Sequence, residues 1–156
     1  MYRRILVPVD FSEHGQRAMD HAVALARAVG AEVVLFHAFE RPTPPKVPAT
    51  DAKLRAYLAE AVAEARARLE HLAAAQEGVT VRALTVEGRP ADEILAALRD
   101  EDCDLVCMGS HGRGALREVL MGSVTERVLH HAPCPVLVVR PPARGAAAGD
   151  DGEDAG

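Results

Sequence analysis

The feature that most restricts this chain is an alternation between two hydrophobic patterns. Five short runs are rich in Val, Leu and Ile: "RRILVPVD" (3–10), "AEVVLFHAF" (31–39), "VTVRALTV" (79–86), "CDLVCM" (103–108) and "CPVLVVR" (134–140). Each reads as a strand. The stretches between them read as helices. Met19, Ala22, Val23, Ala26 and Val29 fall on one face of the first helix, with Ser12 as its cap and Gly30 as its stop. Leu54, Leu58, Ala61, Ala65, Leu69 and Leu72 stripe a second helix, capped by Thr50 and ended by Gly78. Pro90 opens a third, and "SVTERVLHHA" (123–132) is the last.

Strands alternating with helices make right-handed βαβ units and a parallel, doubly wound sheet. Such sheets bind ligands beyond the C-terminal strand ends, where the strand order reverses. Two features sit at such ends: Asp10 after the first strand and a glycine-rich segment after the fourth. For both to line one site, strands one and four must be neighbours. The expected architecture is a five-stranded, Rossmann-like α/β/α sandwich of order 3-2-1-4-5, rather than 2-1-3-4-5.

That segment, "GSHGRGALREVLMGS" (109–123), spaces its glycines as Gly109-x2-Gly112-x9-Gly122-Ser123. Glycines let main-chain N–H groups approach a ligand closely. Gly122 and Ser123 then open a helix whose free N–H groups favour an anion. The layout is a phosphate cradle built mostly from main chain, with Arg113 placed for charge-assisted bonds. It is not a P-loop, because the only lysines, Lys46 and Lys53, follow no glycine run. Structural readings compete at two positions. Asp10 also suits a cap of the turn before helix one, and Ser123 with Glu126 spells a capping box.

Composition limits the function classes. With 156 residues, the chain suits one domain. The net charge is −5; residues 141–156 hold one arginine against four acidic residues, which leaves only −2 for the rest. No basic stripe exists on which to build a nucleic-acid footprint, and no apolar run is long enough to cross a membrane. The N-terminus enters a strand directly, without a signal-peptide pattern. The three cysteines are odd in number, which suits a reduced, cytoplasmic chain. Cys103 and Cys107, four apart, are expected on one strand face as small core residues. His130, His131 and Cys134 lack a fourth ligand, so no metal site is assigned. His111 has no partner in the sequence, and no catalytic residue is named. Residues 1–140 are expected to form the domain and 141–156 a disordered acidic tail.

With these blocks in order, the chain resembles the universal stress protein family, ATP-binding type, whose pattern is G-x2-G-x9-G-[S/T]. "GSHGRGALREVLMGS" meets it at every fixed position. "ILVPVDFSEHGQRAMDHA", "VEGRPADEI", "CDLVCMGSHGRG" and "VLHHAPCPVLVVR" resemble the family's other blocks, so the likeness spans residues 3 to about 140. The resemblance implies that Pro8, Val9 and Ala38 line adenine. Ala38 stands where the family often has valine. Asp10 would meet a ribose hydroxyl or orient a metal. Met108 and Gly109 would flank the ribose and first phosphates, and Gly112, Arg113, Gly122, Ser123 and Val124 would surround the phosphates. ATP is the implied cofactor, with Mg2+ held through phosphates and water.

Two functions follow: a nucleotide-dependent sensor or switch in stress response, or a slow ATPase or phosphotransferase. Phosphoryl transfer needs an oriented nucleophile and transition-state charge stabilisation. The sequence offers a cradle and one arginine, so binding ranks above turnover. A phosphoacceptor domain is set aside, because strand three exits into Val86-Glu87-Gly88 and strand five into Arg140-Pro141. Finally, Val136, Leu137, Val138 and Val139 form an uncharged edge strand in the proposed order. Such an edge invites pairing. A two-fold homodimer through it is expected on this argument and from the resemblance. Beyond that, the partners expected are the nucleotide and a protein whose identity the sequence does not reveal.

Overall fold

A computed structural model of the chain describes residues 1–40, 52–111 and 121–141. Its elements are β1 (Arg4–Pro8), α1 (Glu13–Val29), β2 (Glu32–Phe39), α2 (Ala52–Ala74), β3 (Val81–Glu87), α3 (Pro90–Asp100), β4 (Leu105–Gly109), α4 (Ser123–His131) and β5 (Val136–Val139). The strands form one parallel sheet of order β3-β2-β1-β4-β5. This is the expected order, and it places the reversal between β1 and β4.

Alternation along the strands sends successive side chains to opposite faces. Ile5, Val7, Val33, Leu35, Leu105 and Cys107 pack with α1 and with Leu69 of α2. Leu6, Val34, Phe36, Val106 and Met108 pack with α3 and with Val128 of α4. Each face is thus covered by two helices. On the predicted α1 face Met19, Ala22, Val23 and Ala26 are buried and Val29 is half-buried; Ala18 is buried with them. In α2 the predicted stripe is only partly buried, with Leu69 alone fully so. That helix ends at Ala74, four residues before Gly78. Thr50 lies outside the described residues, as does the tail from 142 onward.

Cys103 and Cys107 do not share a face. Cys103 belongs to the α3/α4 side and Cys107 to the α1/α2 side. The reason is local: β4 begins only at Leu105, so Cys103 lies in the turn before the strand, outside the two-residue alternation. Both thiols are nonetheless core groups, and burial pushes each up to about 12.

Candidate nucleotide site at the strand ends

Of the predicted site residues, Pro8 ends β1, Ala38 lies near the end of β2, and Met108 and Gly109 end β4. Ala38 and Met108 lie on the α3/α4 face with Val124 of α4. Val9 does not join them by its side chain, which is buried on the α1/α2 face. Its N–H donates to Phe36 O at 2.8 Å, and its carbonyl lies 2.7 Å from His37 Nδ1. Gly112 and Arg113 lie outside the described residues.

Asp10 is set by the turn into α1. Its Oδ1 accepts from Ser12 N at 3.0 Å and from Ser12 Oγ at 2.5 Å. Ser12 Oγ in turn accepts from Gly15 N at 3.2 Å, which caps the helix as expected. The turn passes through Phe11 at φ 61°, a left-handed conformation rare for an aromatic residue. Phe11 is held there by His37, with ring centres 4.9 Å apart, and by Arg68, whose guanidinium lies 4.4 Å over its ring. Gly15 was missed in the sequence reading. A Cβ there would stand 2.8 Å from Asp10 Oδ1, so any larger residue would displace the carboxylate. A glycine inside a helix start was the available signal.

Gly109 has a packing reason as well. A Cβ there would meet His14 Cβ and the His14 carbonyl oxygen, each at 2.9 Å. The first turn of α1 is therefore pressed against the end of β4. Beyond it, Ser110 is anchored from both sides: its N–H donates to Val139 O at 3.1 Å, and its carbonyl accepts from Gly122 N at 2.9 Å. Thr125 Oγ1 donates to Gly109 O at 2.9 Å. These bonds tie the start of α4 to the end of β4, next to β1.

The capping-box reading of Ser123 is corrected here. Gly122, not Ser123, is the N-cap, and among the described residues no side chain caps the helix. Ser123 is the first helical residue and is exposed. A capping hydroxyl must sit one residue earlier, on non-helical backbone. The first turn of α4 therefore presents main-chain N–H groups without a side-chain acceptor, as an anion site requires. A separate cleft of about 320 Å3 opens between α1 and α2, lined by Phe11, Gly15, Met19, Arg68 and Leu72. Of the predicted site it shares only Val9, so it is not the same place.

A doubly wound parallel sheet of this order, with its switch point between β1 and β4, defines a Rossmann-like α/β protein. The universal stress protein family model matches residues 1–140, and the chain belongs to that family. A universal stress protein of Thermus aquaticus is 37% identical over 144 residues, covering 90% of this chain and all of that protein. The universal stress protein MJ0577 of Methanocaldococcus jannaschii is 34% identical over 158 residues, 90% of this chain and 96% of that one. Its solved structure matches with a TM-score of 0.78 over 90% of this chain and 97% of that chain. A universal stress protein solved in complex with cAMP shares the fold at 24% identity, with a TM-score of 0.65 over 89% of this chain and 97% of that one. Among the described residues, no helix is long and apolar enough to cross a membrane.

Proposed function

We propose that this protein is an ATP-binding switch of the cytoplasmic stress response, whose nucleotide state is read by a protein partner. The observation that carries the reading is the uncapped start of α4, tied by Ser110 to the end of β4 beside β1. Pro8, Val9 and Ala38 would border adenine, and Asp10 the ribose. Met108 and Gly109 would flank the sugar and first phosphates. Gly112, Arg113, Gly122, Ser123 and Val124 would surround the rest. The oxygen-preferring Mg2+ would be held by phosphate oxygens and water, since main-chain N–H groups offer it no ligand. A fold relative that holds cAMP is in keeping with a nucleotide at this place.

The test is a titration of a fluorescent ATP analogue. Gly122 has φ −65° and ψ 148°, which valine adopts without strain. Gly122→Val should therefore fold and lose binding, because its side chain enters the phosphate path. Unchanged affinity would move the cradle elsewhere. Turnover should fall orders of magnitude below the ~1–1000 per second of ordinary enzymes. Magnesium-dependent phosphate release near one per second, lost in Asp10→Ala, would favour the ATPase or phosphotransferase reading instead.

We propose a homodimer through β5 as well. Pro135 O and Val139 O accept from Val106 N and Ser110 N of β4, each at 3.1 Å. In a parallel strand, alternate residues turn both main-chain groups to one side. Val136 and Val138 therefore direct theirs away from β4. Leu137 is 39% exposed beside them. Val138→Pro removes an outward donor and leaves the β4 ladder intact, so it should yield folded monomer or aggregate. Sedimentation equilibrium of the wild type should give a dimer; a monomer throughout the micromolar range would reject the interface. The acidic tail, 141–156, would project from this edge and add solubility.

A further inference from the structure

His14 in the first turn of α1 and His111 just beyond β4 face each other, with ring centres 5.5 Å apart at 50°. His14 Nδ1 and His111 Nε2 are both buried and have no hydrogen-bond partner among the described residues. His111 as a whole is only 9% exposed. An unmet buried polar atom costs about 1–3 kcal/mol. Two of them on adjacent rings call for one explanation.

The apposition is fixed by the fold. The end of β4 meets α1 along one line: Cys107 Sγ donates to Ala18 O at 3.3 Å, and Gly109 lies against His14. His111, two residues beyond Gly109, continues that line. Its other nitrogen, Nδ1, lies 2.9 Å from the buried Ser110 Oγ. When Nδ1–H donates to that oxygen, Nε2 carries the lone pair. A ring nitrogen held by an outer hydrogen bond, which leaves the lone pair on its mate, is the usual arrangement of a metal-binding histidine.

We infer that His14 and His111 form a binding site for a divalent transition-metal ion of the zinc type, held by His14 Nδ1 and His111 Nε2. The spacing suits it. An ion about 2.0–2.1 Å from each nitrogen lies about 3.2 Å from each ring centre, and two such arms at the tetrahedral angle place the centres about 5.2 Å apart. Imidazole pairs favour zinc, cobalt, nickel and copper over the oxygen-preferring magnesium. The site is thus chemically distinct from any cation carried on a nucleotide's phosphates. Among the described residues no third His, Cys, Asp or Glu joins the pair, so water would have to complete the coordination and the ion would bind less tightly than in a closed four-ligand site. Because the ion needs both lone pairs, protons compete with it, and affinity falls as pH drops below the imidazole range.

The experiment uses the full chain, stripped by chelator and dialysed against Co2+ and Zn2+ without nucleotide. One equivalent per chain is expected. It should weaken at least tenfold in His14→Gln and in His111→Gln, and stay unchanged when the exposed neighbours His130 and His131 are both replaced by alanine. Because His111 is buried, wild-type imidazole nitrogen spectra supply a second reading that needs no variant. Zinc should shift the rings of His14 and His111 ahead of the other five. No uptake would assign the two nitrogens to a bridging water and overturn the site. So would uptake that survives His14→Gln, or shifts confined to His21, His71, His130 or His131.

Discussion

The two ends of the sheet are both polar, yet they are built differently. At the N-terminal end of the strands, Glu32 of β2 accepts from Arg4 Nε of β1 at 3.0 Å and from Arg82 Nε of β3. Arg82 reaches on to Glu101 Oε2 at 2.8 Å, and Arg4 donates to the Glu101 carbonyl. Asp104 accepts from the main-chain N–H groups of Arg3 and Arg4 at 2.9–3.1 Å. Charged groups there answer one another across β1, β2, β3 and the turn before β4. At the C-terminal end, the starts of α3 and α4 lack a side-chain cap and two histidine nitrogens lack partners among the described residues. Unmet donors and acceptors are the capacity from which binding is made, so the first end locks the strands together and the second end is where ligands are to be sought.

The largest effect that bears on this contrast is expected from Gly109→Val. The new side chain meets the backbone and Cβ of His14, which cannot swing away, so overpacking should cost about 1–3 kcal/mol in a urea melt. A neutral result would show that α1 and β4 are not pressed together. Next comes Glu32→Ala, which leaves Arg4 and Arg82 without their shared carboxylate. These pairs are partly exposed, so the loss should be about 1 kcal/mol, with affinity for nucleotide unchanged. Loss of nucleotide binding there would show that the two ends are coupled. The smallest effect lies in the pH dependence. Burial alone would raise both carboxyls, but hydrogen bonds from Arg82 and Arg4 hold Glu32 below its ordinary range, and the N–H groups of Arg4 and Arg3 do the same for Asp104. Their stabilisation is therefore present above the unfolded values of about 4 and is lost as pH falls through the lower folded values. Glu32→Gln combined with Asp104→Asn should flatten the decline of Tm below about pH 4. An unaltered slope would place the acid sensitivity elsewhere.

Much of this was legible in the residues. The two hydrophobic periods supplied the nine elements, and placing Asp10 and the glycine segment at one site supplied the strand order. Ser12, Gly30 and Pro90 marked helix limits because capping is local chemistry, set by a residue and the few that follow it. The same local rule misplaced Ser123, since a capping-box pattern does not reveal which residue leaves the helical conformation first. The assignment of Cys103 failed because the strand begins only at Leu105, two residues later than the apolar run suggests.

By itself the sequence determined the parallel doubly wound class and the position of the glycine segment, because these follow from periods and spacings within short stretches; the strand order followed from requiring Asp10 and that segment to share one site. Only the tertiary structure decided that Gly109 must admit His14, and that His14 and His111 lie side by side. Those contacts join residues about 95 positions apart, and they depend on where α1 lands on β4. That landing is set by packing the α1 face onto the sheet, and no local pattern encodes it.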